Sequence, residues 1–178
     1  MCGRYWIEEK GKRIRDICPS DRASVIGERE GEERIFEARW GYPAPGSSGL
    51  VINARAETVL EKKLFQNGIR NHRIVVPAAG FYEWNRNREK YSFRQGNAAL
   101  YMAGFEDIFE NEHRFVILTT AANASMEPVH DRMPLILEEN QIKDWICENS
   151  KTEELLKKTP PLLEREGEYE QMKLDLFI

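Results

Sequence analysis

The most strongly patterned segment of the chain is Ile74-Val75-Val76-Pro77-Ala78-Ala79-Gly80-Phe81-Tyr82-Glu83-Trp84. Its two halves, Ile74–Val76 and Gly80–Trp84, are rich in β-branched and aromatic residues, which favours two strands separated by turn residues. Similar runs recur along the first three quarters of the chain, at Arg4–Ile7, Ser24–Gly27, Arg34–Trp40, Leu50–Asn53, Tyr91–Phe93, Ala99–Phe105, Arg114–Thr120 and Leu135–Leu137. This pattern predicts a mostly antiparallel β-sheet.

Three helices are predicted from apolar spacing and from residues that begin or end helices. The first covers Ala56–Gln66, with Gly68 after its end. The second covers Glu138–Cys147, and the third begins at Ser150, which forms a capping box with Glu153. Strands followed by terminal helices indicate an α+β fold.

The 178 residues are enough for one domain with a substantial core. We place this domain at residues 1–163. Residues 164–178 are interpreted as a charged linker and a C-terminal tail, and the tail is either a peptide for a partner or the last strand of the domain.

Composition narrows the possible classes of function. Cysteine and histidine residues do not show metal-ligand spacing, so we expect neither a metal nor another cofactor; they are Cys2, Cys18, Cys147, His72, His113 and His130. No apolar run approaches the roughly 20 residues of a membrane span, and 31% of residues are charged, so a cytoplasmic monomer is expected. A net charge of -4 argues against a protein that coats nucleic acid through general basicity.

Cys2 acquires unusual chemistry once Met1 is removed, because its free amine and its thiol then lie on adjacent carbons. The amine has an ordinary pKa of about 8 and the thiol one of about 8.5, so both groups can act as nucleophiles near neutral pH. From position alone, Cys2 could equally be a small residue at the start of a strand.

Four segments, taken in order, resemble the SOS response-associated peptidase (SRAP) family: Met1–Arg4, Asn53–Thr58, Pro77–Trp84 and Val129–Pro134. Further similarity at Trp40–Tyr42 and Phe115–Thr120 extends the resemblance from Met1 to about Trp145. It implies a barrel-like β fold with flanking helices and a positively charged cleft for single-stranded DNA. It also implies that the terminal cysteine crosslinks to abasic sites, with autoproteolytic or aminopeptidase removal of the initiator methionine.

The resemblance also implies roles for individual residues. Cys2 would form a thiazolidine with the aldehyde of an abasic sugar, Asn53 would hydrogen-bond the Cys2 amine or the thiazolidine ring, and Glu83 would move protons during imine formation. His130 would assist opening of the sugar ring as an acid or base.

The DNA contacts implied in the same way are Arg4 and Arg55 on phosphates, with Thr119 and Trp40 lining the cleft. The loop Pro43–Gly49 lacks the aromatic residues that many relatives carry there, so Trp6, Trp40 or Tyr42 would have to take their place beside a base. A basic cluster near the N-terminus is interpreted as a solvated turn; it consists of Lys10, Lys12, Arg13 and Arg15.

Structural interpretations stay open for these residues when each is taken alone. Alternation could point Glu83 into solvent, Asn53 could end a strand, and His130 could belong to a surface salt bridge. Two other functions also stay open. Cys2 with His130 and Glu83 could form an amidase or peptidase, or the protein could read DNA without chemistry.

The C-terminal residues Leu174-Asp175-Leu176-Phe177 are similar to the short peptide that bacterial replication proteins insert into the sliding clamp. Lys173 stands where glutamine is usual in that peptide. The sequence therefore predicts either a clamp-binding tail or a final strand that buries Leu174 and Leu176.

Overall fold

A computed structural model describes residues 2–9 and 12–167, with only the backbone described at Lys12 and Ile14. Fifteen strands lie within these residues: β1 (Arg4–Glu9), β2 (Lys12–Ile17), β3 (Arg22–Arg29), β4 (Glu32–Trp40), β5 (Tyr42–Pro43), β6 (Leu50–Val51), β7 (Asn53–Arg55), β8 (Arg73–Ala78), β9 (Gly80–Trp84), β10 (Lys90–Arg94), β11 (Leu100–Phe109), β12 (Glu112–Ala121), β13 (Arg132–Pro134), β14 (Ile136–Leu137) and β15 (Glu164–Gly167). The α-helices within them are α1 (Gln66–Asn71), α2 (Ile142–Cys147) and α3 (Thr152–Leu156). The expected α+β fold with a mostly antiparallel, barrel-like sheet is confirmed.

Five strands close into a barrel in the order β12, β4, β3, β8 and β11, with β11 pairing back onto β12. Two of its hairpins have two-residue turns, Glu30-Gly31 and Glu110-Asn111, in which both residues have positive φ. Turns of this kind match the right-handed twist of the strands that they join. Closure also needs a parallel contact between β12 and β4.

Strand β8 explains why the run Ile74–Val76 is continuously apolar. The buried apolar residues of the protein form two core clusters. Ile74 and Val76 belong to the first cluster and Val75 belongs to the second, so both faces of the strand are buried. A strand of this kind reads as an unbroken apolar run rather than an alternating one.

A second sheet, in the order β15, β10, β9, β1 and β2, packs on the barrel and shares its first core cluster. The chain passes from the barrel into this sheet through Ala79, whose amide donates to the carbonyl of Trp6. The next residue, Gly80, lies opposite Trp6. A Cβ at Gly80 would overlap the indole of Trp6 and lie 2.5 Å from the carbonyl oxygen of Phe93. Glycine at this position therefore lets the two strands approach.

The helices differ in detail from the prediction. Over the predicted first helix, Ala56–Gln66, the chain forms two 3₁₀ turns, Val59–Glu61 and Lys63–Phe65, and α1 follows them. Gly68 lies inside α1, where a Cβ would come 2.6 Å from Phe105 and 2.8 Å from the hydroxyl of Tyr42. Close packing, and not helix termination, accounts for this glycine.

The second predicted helix is confirmed as a 3₁₀ turn, Glu139–Gln141, that leads into α2. The capping box predicted at Ser150 is wrong, because Ser150 lies within a further 3₁₀ turn without a side-chain cap. A capping box is present instead between Glu138 and Gln141.

Two segments that were interpreted as irregular are strands. Residues Lys12–Ile17, which include three of the four cations of the basic cluster, form β2, and this strand pairs with β1. Residues Glu164–Gly167 of the predicted linker form β15, which pairs with β10. Both are edge strands rich in charge, as is common where an edge faces solvent. The domain boundary at residue 163 stays a prediction, and residues 168–178 lie outside the described residues.

We expect Gly80→Ala to lower the free energy of unfolding by about 1–3 kcal/mol, because the added methyl group cannot fit between Trp6 and β10. Gly49→Ala is the matched control, since its Cβ would meet its nearest atom at 3.4 Å; we expect a change within about 0.5 kcal/mol. Urea denaturation measures both. Equal effects of the two substitutions would contradict this account of the contact between β1 and β9.

Candidate active site

Cys2 lies in the core two residues before β1, with 0% of its surface exposed. Its carbonyl oxygen accepts a hydrogen bond of 2.9 Å from Nδ2 of Asn53. Asn53 is the first residue of β7. This strand runs parallel to β12, and Asn53 lies opposite Ile117 of β12. The side-chain oxygen of Asn53 is buried and has no hydrogen-bond partner among the described residues. A buried acceptor of this kind is costly unless it has a partner, so this oxygen is available to a donor brought close to Cys2.

Glu83 approaches Cys2 through the pairing of β1 with β9. Arg4 lies opposite Tyr82 in this antiparallel pair, so Glu83 comes beside the chain that precedes Arg4. Its side chain is only 4% exposed. The alternative in which Glu83 points into solvent is therefore wrong.

The thiol of Cys2 is held in its neutral form. Burial, the larger cause, and the negative charge of Glu83 together raise the pKa of the Cys2 thiol from 9.0 to about 12. At neutral pH the sulfur keeps its proton, and a reaction through sulfur needs a base to remove that proton. Glu83 is the carboxylate whose charge acts on this thiol.

His130 lies at the surface, with 26% of its side chain exposed. Its Nδ1 accepts a 3.0 Å hydrogen bond from the backbone N–H of Arg132, which requires an unprotonated Nδ1 and leaves the proton of the neutral ring on Nε2. The same Nδ1 lies 2.9 Å from a carboxylate oxygen of Asp131, to which it donates when Nδ1 carries a proton.

A cleft of about 310 Å³ lies against this histidine. Its wall is formed by Trp84, Asn85, Arg86, Val129, His130 and Asp131. Trp84 follows Glu83 in β9, so the two side chains point to opposite faces of the sheet, and the wall of the cleft includes Trp84 but not Glu83 or Cys2. A larger depression of about 550 Å³, beside Ile7 and Arg94, contains none of the predicted catalytic residues.

An ion pair that the sequence analysis did not identify joins two of the four motifs. Arg132 donates from both terminal nitrogens to Glu57, at 2.6 and 2.8 Å, and from Nη2 to the carbonyl oxygen of Thr119 at 2.7 Å. The hydrogen bond from Arg132 lowers the pKa of Glu57. The pair fixes the segment that carries His130 against β12. Both residues stood within quoted motifs, but their pairing needs a fold that brings residues 57 and 132 together.

The residues expected to bind DNA fall into two groups. Arg55 is exposed on β7, and Arg4 is partly exposed with its guanidinium 5.7 Å from the ring of Trp84. Thr119 and Trp40 are both fully buried. Their expected direct contact with DNA does not fit this burial.

Trp40 and Thr119 have structural partners instead. Trp40 donates its indole N–H to the carbonyl of Ile52 at 3.0 Å and stacks on Phe115, with ring centroids 6.2 Å apart. Thr119 supports Arg132 through its carbonyl. Trp6 and Tyr42 are also at most 2% exposed, so neither replaces an aromatic wedge on the loop Pro43–Gly49. Trp84 is the partly exposed aromatic residue of the cleft.

Within the described residues, His, Cys, Asp and Glu side chains do not gather into a group able to hold a metal ion. Cys2, Cys18 and Cys147 are all free thiols. No helix in the described part of the chain is long and apolar enough to span a membrane.

Comparison with known proteins places this geometry in a family. The abasic site processing protein YoaM of Bacillus subtilis is 31% identical over 146 residues, which cover 74% of this chain and 64% of that protein. The abasic site processing protein YedK of Escherichia coli is 29% identical over 142 residues, which cover 74% of this chain and 63% of that protein. The chain thus spans less than two thirds of the length of these relatives.

A solved structure agrees with the fold. A phage-related protein of Bordetella bronchiseptica superposes with a TM-score of 0.78 over 93% of both chains, at 26% identity. The SOS response associated peptidase (SRAP) family matches residues 1–174 of the sequence. This match covers almost the whole chain and all four motifs, and the chain therefore belongs to the SRAP family.

Proposed function

We propose that this protein traps abasic sites in single-stranded DNA by a covalent link to Cys2, protecting the lesion during replication or the SOS response. Its relatives are named abasic site processing proteins. The observation that carries the proposal is the setting of Cys2, whose main chain is held by Asn53 and whose thiol lies within the field of Glu83. The proposal requires loss of Met1, autocatalytically or by an aminopeptidase, because an acylated nitrogen cannot form an imine.

The reaction needs no further reagent. The free amine of Cys2 adds to the aldehyde carbon of the open-chain sugar, and loss of one water gives an imine. The sulfur then adds to the imine carbon, and the thiol proton is transferred to the nitrogen. The product is a five-membered thiazolidine, whose mass equals protein plus DNA minus one water.

Glu83 and Asn53 serve the two halves of this reaction. Glu83 accepts the thiol proton and returns it to nitrogen, a transfer that the raised pKa of the Cys2 thiol makes necessary. The unpaired side-chain oxygen of Asn53 accepts an N–H of the freed amine and orients it toward the aldehyde. His130, on the wall of the cleft, exchanges a proton with the sugar oxygen as the ring opens.

Binding of the DNA strand is assigned to Arg4, Arg55 and the cleft beside Trp84. Arginine donors on phosphates position a strand without reading its sequence. The partly exposed ring of Trp84 offers a face for one base next to the lesion.

Two other functions use some of the same residues. An amidase or peptidase would use Cys2 as nucleophile, and a reader of damaged DNA would need only the cleft. The first produces cleaved peptides or amides, and the second produces reversible binding alone. Both differ from a covalent trap in the mass of the product.

The processed protein, mixed with a single-stranded oligonucleotide that carries one abasic site, should give a heat-stable adduct in intact mass spectrometry. Cys2→Ser should retain reversible imine formation but lose the stable ring, whereas Cys18→Ser, the matched control, should react normally. Crosslinking by Cys2→Ala at the wild-type rate, or an active preparation that retains Met1, would show the proposal to be wrong.

Glu83→Gln should change two rates in opposite directions. Adduct formation should slow by about 10²- to 10⁴-fold, because a general base is lost. Alkylation of Cys2 by iodoacetamide at pH 8, in the chain that carries Met1, should accelerate, because the Glu83 charge helps to raise the thiol pKa toward 12. Glu61→Gln, on an exposed residue, is the control.

His130→Ala extends the same experiment. It should slow ring opening, and hence adduct formation, without changing alkylation of Cys2. Equal crosslinking rates from pH 5 to 8 for the wild type, Glu83→Gln and His130→Ala would exclude proton transfer by either residue.

The C-terminal tail, which lies outside the described residues, is proposed from its sequence to recruit the protein to a replication sliding clamp. A peptide of residues 171–178 should bind the clamp weakly, and Phe177→Ala should abolish binding. Deletion of these residues should leave the melting temperature unchanged. A lower melting temperature would identify a final strand, and no binding at high micromolar peptide would refute recruitment.

A further inference from the structure

One face of the second sheet carries aromatic rings with cations on them. Its rings are Trp6 on β1 and Tyr82 and Trp84 on β9, and its cations are Arg4, Arg13 and Lys90. Strand pairing places these residues on the same side, with Arg4 opposite Tyr82 and Lys90 opposite Trp84. We call these six residues the basic aromatic face.

The cations lie directly over the rings. The guanidinium of Arg13 is 4.9 Å from the ring centroid of Trp6 and 5.6 Å from that of Tyr82, and Nζ of Lys90 is 4.4 Å from that of Tyr82. Trp6 and Tyr82 pack on each other at 4.8 Å. Each distance is within the range of a cation–π interaction.

The rings of Trp6 and Tyr82 hold cations and do not serve as stacking surfaces for bases. Trp6 is 2% exposed and Tyr82 is 3% exposed, whereas Arg13 is exposed. Burial raises the pKa of Tyr82, and Arg13, Lys90 and Arg4 act against that rise, so all three charges reach one phenol. A guanidinium stacked on a ring keeps the N–H groups of its edge for other acceptors.

The basic aromatic face is continuous with the cleft. Trp84 belongs to both, and the hairpin that follows it presents the exposed side chains of Arg86 and Arg88. From β10 to β2 the face crosses three strand spacings of about 4.8 Å, or about 14 Å in all. It therefore extends the cleft sideways over more than one nucleotide.

Among the described residues, three carboxylates lie close to the face or on its hairpin: Glu89, which precedes Lys90, and one each on β1 and β2. Glu8 accepts the indole N–H of Trp6 at 3.0 Å, and Asp16 lies opposite Trp6. In this described part of the chain, the four arginines Arg4, Arg13, Arg86 and Arg88 outnumber these three acids even without Lys90, on a chain whose net charge is -4. Such a local excess on an acidic protein complements a polyanion.

We propose that the basic aromatic face binds the phosphates of the single-stranded DNA that flanks the lesion, with Arg13 and Lys90 as contacts beyond the cleft. This inference rests on the proposed function, which supplies the DNA partner. It also corrects the interpretation of Arg13 as part of a solvated turn. Because the buried rings of Trp6 and Tyr82 offer no face to a base, the phosphate contacts of Arg13 and Lys90 are independent of sequence.

The test measures equilibrium binding to a single-stranded oligonucleotide with an unreactive tetrahydrofuran abasic analogue, over a range of salt concentrations. Each neutralised phosphate contributes about -0.7 to the slope of log K against log salt. The double variant Arg13→Gln with Lys90→Gln should therefore make the slope shallower by about 1.4. The charge-preserving variant Arg13→Lys with Lys90→Arg should keep the wild-type slope.

The matched control removes two positive charges away from the face, by Arg34→Gln with Lys151→Gln, both of which are exposed. Its slope should equal that of the wild type. Equal slopes for both glutamine variants, or a loss that depends on base sequence, would overturn the inference. Failure of the wild type to crosslink reactive abasic DNA, with the slope change intact, would refute the covalent function alone.

Discussion

Strand β12 is the element on which both the barrel and the candidate site depend. It pairs with β11 and β4 to close the barrel, and further along with β7 and β13. The last two pairings bring the motifs of Asn53 and Arg132 to one place. Because alternate residues of β12 enter the two core clusters, a shift of its register by one residue would exchange their apolar surfaces and displace the site.

The same packing gives Cys2 an environment that opposes its ionisation. An enclosed thiol beside a carboxylate is poorly reactive, and the raised pKa protects it from unrelated electrophiles. In the proposed reaction, chemistry then depends on a substrate that reaches the amine first and on a base already in position. The main chain of Cys2, held by Asn53, would meet that requirement better than a mobile one, since less conformational freedom is lost when the substrate arrives.

Aromatic residues in this protein divide by depth into two roles. Trp40, packed between Tyr5 and Phe115, fills the interior, whereas Trp6 and Tyr82 lie just below the surface and hold cations. The sequence alone does not distinguish these two roles, because the neighbours of an aromatic residue in the chain do not reveal how deeply its ring is buried. Gly80 separates the roles physically, since without a Cβ it lets the Trp6 ring lie across the neighbouring strand.

The sequence by itself determined most of the strands, the fold class and the four motifs, because alternation, turn residues and short motifs are local properties; it missed the charged edge strands β2 and β15. It also identified Cys2, Asn53, Glu83 and His130 as candidates through resemblance to a family. Only the tertiary structure decided that Glu83 is buried near Cys2, that Arg132 pairs with Glu57, and that Trp40 and Thr119 lie beneath the surface. Burial and pairing depend on contacts between residues far apart in the chain, and strand alternation leaves open which face meets the core.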